Sequence, residues 1–162
     1  MPRVGETAPD FELLNQNRQP VRLSDYRGKR VVLFTFARAG TLGCTKQACA
    51  LRDAMPKIEA GNNVVVLAMS DDSPEALLKW KENQRLPYDL ISDPEGVALD
   101  LFGASTASIL SVKLPVRPHT LWVIDENGIV RGAHAPIMLS DAAKTALKDL
   151  KAIDEAQPQT TR

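Results

Sequence analysis

Only two cysteines and two histidines occur among the 162 residues, and aromatic side chains make up 5% of them. So few cysteines exclude the disulfide framework that holds small secreted domains together. Charge of one sign is also missing. Twenty Lys and Arg offset twenty Asp and Glu, and no basic run is longer than Lys29-Arg30. Nucleic-acid binding needs clustered cations to neutralise phosphates, so it is not expected. No apolar run approaches the roughly 20 residues that span a bilayer. The opening Met1-Pro2-Arg3-Val4-Gly5-Glu6 lacks the charged, then apolar, then small pattern of a secretory signal. No membrane partner is expected, and the cytoplasm is the expected location.

What is present is enough for one core. A hydrophobic content of 44% in 162 residues predicts a single domain, here taken as 1–154, with a flexible polar tail over 155–162 that contains Pro158. The run Val31-Val32-Leu33-Phe34-Thr35-Phe36 has the β-branched and aromatic character of a strand buried on both faces, and 63–69 repeats it. Between them Cys44, Ala48, Leu51, Met55 and Ile58 recur at steps of four and three, which is one stripe of a helix. Ser73-Pro74-Glu75, Asp93-Pro94-Glu95 and Ser140-Asp141 each read as a helix start. Ala143, Leu147, Leu150 and Ile153 stripe the last helix. Strands at 120–125 and 129–133 flank Glu126-Asn127-Gly128, whose Asn-Gly pair is suited to the positive φ angles of a tight hairpin. With strands at 11–14 and 21–23 and a short one near Leu90, the order is that of an α/β protein. The expected fold is a thioredoxin-like three-layer sandwich, a central mixed sheet with helices on both faces and an N-terminal hairpin extension.

The chemistry of the chain should lie at Cys44. A strand runs into the small-residue loop Ala37-Arg38-Ala39-Gly40-Thr41-Leu42-Gly43, and the cysteine follows in the first turn of a helix. Unpaired backbone N–H groups and the positive end of the helix dipole favour a thiolate there. Gly40 and Gly43 allow backbone to approach a small substrate closely. Thr41 reads two ways, as an N-cap or as a hydroxyl beside the sulfur, and the two are compatible. Cys49 lies five positions further on, about 140° around the helix and about 8–9 Å away between Cα atoms. A disulfide tolerates roughly 4.4–6.8 Å, so pairing requires the first helical turns to unwind. On spacing alone Cys49 is either such a partner or an ordinary small helix residue. Two cysteines with His119 and His134 have the composition of a Cys2His2 zinc site, but not the spacing of a zinc finger, and no metal or cofactor is expected.

The segment Thr41-Leu42-Gly43-Cys44-Thr45-Lys46-Gln47-Ala48-Cys49-Ala50-Leu51-Arg52-Asp53 resembles the active-site helix of the peroxiredoxins, and within them the PrxQ or bacterioferritin comigratory protein group. Gly5-Glu6-Thr7-Ala8-Pro9-Asp10-Phe11, Leu23-Ser24-Asp25-Tyr26-Arg27-Gly28-Lys29, Ser70-Asp71-Asp72-Ser73 and Ile124-Asp125-Glu126-Asn127-Gly128 extend the likeness along most of the chain. The resemblance implies a thiol-specific peroxidase acting on hydrogen peroxide and organic hydroperoxides. Cys44 would be the peroxidatic nucleophile, Thr41 a peroxide-orienting hydroxyl and Cys49 the resolving cysteine of an intramolecular disulfide. Thioredoxin or a similar dithiol would be the reductant, and the chain would act as a monomer. The alternative on the same fold is a redox switch that oxidises without turnover. A thioredoxin-like disulfide reductase would need Cys-x-x-Cys, and Thr41 stands where its first cysteine belongs.

The chain departs from the family pattern at three places. Ala37 replaces a proline, which leaves one pocket wall smaller and less rigid. Gln47 replaces a frequent glutamate, which makes the pocket more positive. The arginine that stabilises the thiolate is expected three residues before the strand aromatic, and counting back from Trp122 gives His119. Arg117 lies two residues earlier, on the same side if the strand extends that far. Arg117 is favoured for its permanent charge and forked donors, with His119 the runner-up and Pro118 loosening the register. His134 reads as a partly exposed histidine outside the site, and Trp80 and Trp122 as packing residues. The apolar stretch 103–116 suits either a substrate entrance or a partner surface.

Overall fold

The computed structural model describes residues 1–60, 63–106, 108–109, 112–113 and 117–156. Strand β3 (Arg30–Thr35) is buried at all six positions, as a run of β-branched and aromatic residues requires when both faces are covered. It pairs in parallel with β4 (Val64–Ser70), which pairs in parallel with β5 (Asp89–Ser92). On its other side β3 pairs antiparallel with β8 (Thr120–Ile124), and β8 with β9 (Val130–His134). The N-terminal hairpin of β1 (Glu12–Asn15) and β2 (Pro20–Arg22) joins through β5, so the sheet runs β2-β1-β5-β4-β3-β8-β9. A small separate hairpin is made by β6 (Ser108–Ile109) and β7 (Val112–Lys113). These last two belong to the apolar 103–116 stretch, of which residues 107, 110–111 and 114–116 lie outside those described.

Strand alternation sends successive residues to opposite faces, and two cores result. Val32, Phe34, Leu121 and Val123 face helices α1 (Leu42–Glu59), α2 (Pro74–Gln84) and α4 (Ala142–Ala156). Val31, Leu33, Trp122 and Ile124 face α3 (Val97–Leu101) and the N-terminal segment. The expected α1 stripe is the one observed: Cys44, Ala48, Leu51, Met55 and Ile58 are all buried. Trp122 and Trp80 are packing residues, 0% and 4% exposed. This is the thioredoxin-like sandwich, with helices on both faces of a mixed sheet.

Local chemistry moved three boundaries. Asp93 does not open a helix at once: its backbone oxygen accepts from Gly96, its carboxylate accepts from Leu99, and α3 starts only after the left-handed Gly96. In the β8–β9 turn only Gly128 has positive φ, +80°, while Asp125 accepts from the backbone of Asn127 and Ile129. The register shift beside Ile124 absorbs the extra residue as a bulge. Finally, α4 continues through Glu155 and Ala156, and the remainder of the expected tail, 157–162, lies outside the described residues.

Candidate active site

Helix α1 begins where β3 ends, so its first turn rises from the carboxyl edge of the central strand. Thr41 occupies the N-cap position with extended backbone (φ −75°, ψ 153°) and makes no side-chain cap bond. Its hydroxyl instead donates to the Arg38 carbonyl at 2.9 Å and also stands within hydrogen-bonding reach of the Cys44 sulfur. The loop is pinned from below by Asp72, whose carboxylate accepts from the Ala39 N–H at 2.7 Å and from the Ser70 hydroxyl at 2.7 Å. Asp72 belongs to the Ser70-Asp71-Asp72-Ser73 stretch of the family likeness, but nothing in the sequence marks it as the loop's anchor, and the backbone donor of Arg38 leaves no signature in side-chain identity.

Cys44 is 2% exposed. Burial works against its charged form, yet the imidazole of His119, the Arg38 N–H and the Thr41 hydroxyl together bring its pKa down to about 7. His119 Nε2 lies 3.5 Å from the sulfur. The other ring nitrogen, Nδ1, donates to Gln47 Oε1 at 2.6 Å. An amide oxygen only accepts, so Nδ1 carries a proton and Nε2 is the nitrogen free to exchange one with the thiol. Gln47 is fully buried, and its Nε2 has no hydrogen-bond partner among the described residues.

Arg117 does not join this group. Its guanidinium binds Asp100 at 2.8 Å, Asp71 at 3.4 Å and the Ala104 carbonyl at 2.9 Å, on the α3 side of the sheet. Alternation would have put residues 117 and 119 on one face, but β8 starts at Thr120, and the chain through Pro118 is not strand. The sequence preference for Arg117 over His119 is therefore corrected: the imidazole is the group at the sulfur, and the Arg117 guanidinium is bound to two carboxylates instead. Thr120 fixes the entry of β8, its hydroxyl 2.6 Å from that of Thr35.

Both thiols are free. Cys49 is half-buried on the intact α1, and its thiol donates to Gln84 Oε1 at 3.5 Å, toward α2. Three bonds hold this part of α1 in place: Trp80 Nε1 to the Thr45 hydroxyl (3.2 Å), the Tyr88 hydroxyl to the Ala48 carbonyl (2.6 Å) and Arg52 to the Gln84 carbonyl (2.6 Å). Gly43 lies in the first turn of α1, between Thr41 and Cys44. His134 sits apart on β9, its Nε2 bound to the Asp149 carboxylate at 2.7 Å. No group of three or more His, Cys, Asp or Glu residues arranged for a metal occurs among the described residues, and none of the described helices is long and apolar enough to cross a membrane.

Residues 4–133 match the AhpC/TSA family. The chain belongs to that family. It is 43% identical over 100 residues to a bcp peroxiredoxin of Haemophilus influenzae, covering 62% of this chain and 64% of that protein. A peroxiredoxin of Mycobacterium tuberculosis is 38% identical over 128 residues, 76% of this chain and 79% of the relative. The crystal structure of peroxidoxin BcpB from M. tuberculosis superposes with a TM-score of 0.82 at 34% identity, covering 93% of this chain and 97% of that one. Family membership thus agrees with the position of Cys44 in the first turn after β3.

Proposed function

We propose that this chain is a thiol-dependent peroxidase that reduces hydrogen peroxide and small organic hydroperoxides. The observation that carries the reading is the buried Cys44 sulfur, brought to a pKa of about 7 by His119, Arg38 and Thr41. A thiolate is the nucleophile in such chemistry. It attacks one peroxide oxygen, the O–O bond breaks, and the products are Cys44 sulfenic acid and water or an alcohol. The Cys49 thiol then condenses with the sulfenic acid, releasing water and forming a disulfide. Because α1 is continuous from Leu42 to Glu59, its first turns must open for that bond to form. Thioredoxin or a similar dithiol restores the two thiols by exchange, and the chain acts as a monomer in the cytoplasm.

Stopped-flow oxidation of the reduced protein by one equivalent of hydrogen peroxide tests this, with product mass as readout and the urea-unfolded chain as reference. The expected result is oxidation orders of magnitude faster than in the unfolded chain, ending in a Cys44–Cys49 disulfide. Equal rates would remove the peroxidase reading. Fast oxidation without turnover in the presence of thioredoxin would favour a redox switch, for which the absence of Arg117 from the sulfur is the supporting observation.

A further inference from the structure

We propose that His119, held in place by Gln47, is the general acid of peroxide cleavage, carrying the thiol proton of Cys44 to the departing oxygen. The inference rests on the peroxidase reading and adds a role that a guanidinium cannot fill. When the O–O bond breaks, the leaving group is hydroxide or alkoxide, a strong base that must gain a proton. An arginine stabilises negative charge but does not release its proton. Here the permanent cation is on the other face of the sheet, bound to Asp71 and Asp100, and an imidazole stands 3.5 Å from the sulfur.

The proton balance closes within the pair. Cys44 S–H passes its proton to His119 Nε2, giving thiolate and imidazolium. The thiolate takes the terminal oxygen of ROOH, the electron pair of the O–O bond leaves on RO⁻, and the imidazolium proton converts that to ROH. Sulfenic acid and neutral imidazole remain, so no proton is drawn from solvent. The relay requires Nδ1 to stay protonated throughout, and the Gln47 oxygen at 2.6 Å ensures that. The amide's own N–H₂ group has no hydrogen-bond partner among the described residues, so the oxygen is the end of the Gln47 amide that binds the ring. Among the described residues, Cys44 and Gln47 from α1 are the side chains that hydrogen-bond the ring. Arg117 upstream is neutralised by its two carboxylates, and Asp72 is taken up by Ala39 and Ser70. Gln47 is a positioning residue and His119 the catalytic one.

Two oxidants with different leaving groups separate proton donation from every other role. Hydrogen peroxide expels hydroxide, which needs the proton; peroxyacetic acid expels acetate, which does not. In single-turnover stopped flow on the reduced full-length chain, H119R should lose about 100-fold or more with hydrogen peroxide. Its loss with peroxyacetic acid should be much smaller, and the ratio of the two losses isolates the proton given to the leaving group from the part residue 119 plays in forming the thiolate. Gln47→Leu should show a smaller loss confined to hydrogen peroxide, and Gln47→Glu, which still accepts from Nδ1, should restore it. Equal losses with both oxidants in H119R and in Gln47→Leu would overturn the relay, as would undiminished hydrogen peroxide rates in H119R. The parent protein oxidising no faster than its unfolded chain with either oxidant would instead sink the peroxidase reading on which the relay depends.

Discussion

Cys44 and Cys49 share one helix, five residues apart, and have almost nothing else in common. Cys44 is closed off from solvent and faces an imidazole, a backbone N–H and a hydroxyl, all contributed from outside the regular turns of α1 or from its cap. Cys49 is half-buried against α2 and faces the side-chain oxygen of Gln84, an acceptor that offers its sulfur no proton. The helix therefore supplies the spacing, while the loop over 37–41 and the approach to β8 supply the reactivity. In the proposed reaction Cys44 is the nucleophile because of where two connections end, and its neighbour on the same helix takes part only once the helix opens.

The comparison predicts opposite phenotypes for the same substitution. Cys44→Ser should abolish peroxide consumption entirely, because it removes the sulfur that the proposed reaction uses as nucleophile; residual turnover in a coupled thioredoxin assay would contradict the assignment. Cys49→Ser should leave the first oxidation as fast as in the parent but remove disulfide formation, so that recycling by thioredoxin collapses and mass spectrometry finds a Cys44 sulfenic acid or its further oxidation products. Equal loss of the first step in both variants would erase the distinction between the two sites.

A smaller effect is expected at the contacts that keep the cysteines apart. The Tyr88 phenol, kept neutral by burial, which pushes its pKa up, donates to the Ala48 carbonyl one turn beyond Cys44. Tyr88→Phe removes one buried hydrogen bond, worth about 0.5–1.5 kcal/mol, from the part of α1 that the proposed disulfide requires to unwind. If that bond is intact before unwinding and lost after it, disulfide formation after sulfenic acid should accelerate by about two- to tenfold, with the rate of the first oxidation unchanged. An unchanged second step would mean that the helix opens without disturbing this bond.

Much of this contrast was legible beforehand. The apolar stripe from Cys44 to Ile58 has the period of a helix, and the runs that became β3 and β4 have the short, β-branched and aromatic character of buried strands, so helix, strands and the position of Cys44 at their junction follow from residue order. Position and spacing singled out Thr41 and Cys49 with two readings each, and the resemblance implied one role for each. What the sequence did not settle was which basic side chain reaches the sulfur. Alternation argues well inside a strand, but Arg117-Pro118-His119 lies just outside one, and there the capture of Arg117 by Asp71 and Asp100 decided the outcome. Those two partners come from distant parts of the chain, and nothing local announces them. The same holds for Gln47, which read as a neutral replacement for glutamate and proves to be the acceptor that sets the histidine's tautomer.

The gentlest probe of the difference between the cysteines is the proton itself. Cys44 has its pKa lowered from 9.0 to about 7, so the fold favours the thiolate. An acid whose pKa is depressed on folding adds stability that is in full effect above the unfolded value, near 9, and is lost as pH falls through the folded value, near 7. Alkylation of Cys44 in the reduced protein should therefore rise with pH around a midpoint of about 7. Burial opposes ionisation, and His119 outweighs Thr41 among the groups that favour it, so Thr41→Val should move the midpoint upward by less than His119→Ala does. A midpoint that Thr41→Val leaves in place would separate the hydroxyl from the thiolate and leave Thr41 bound to the Arg38 carbonyl alone.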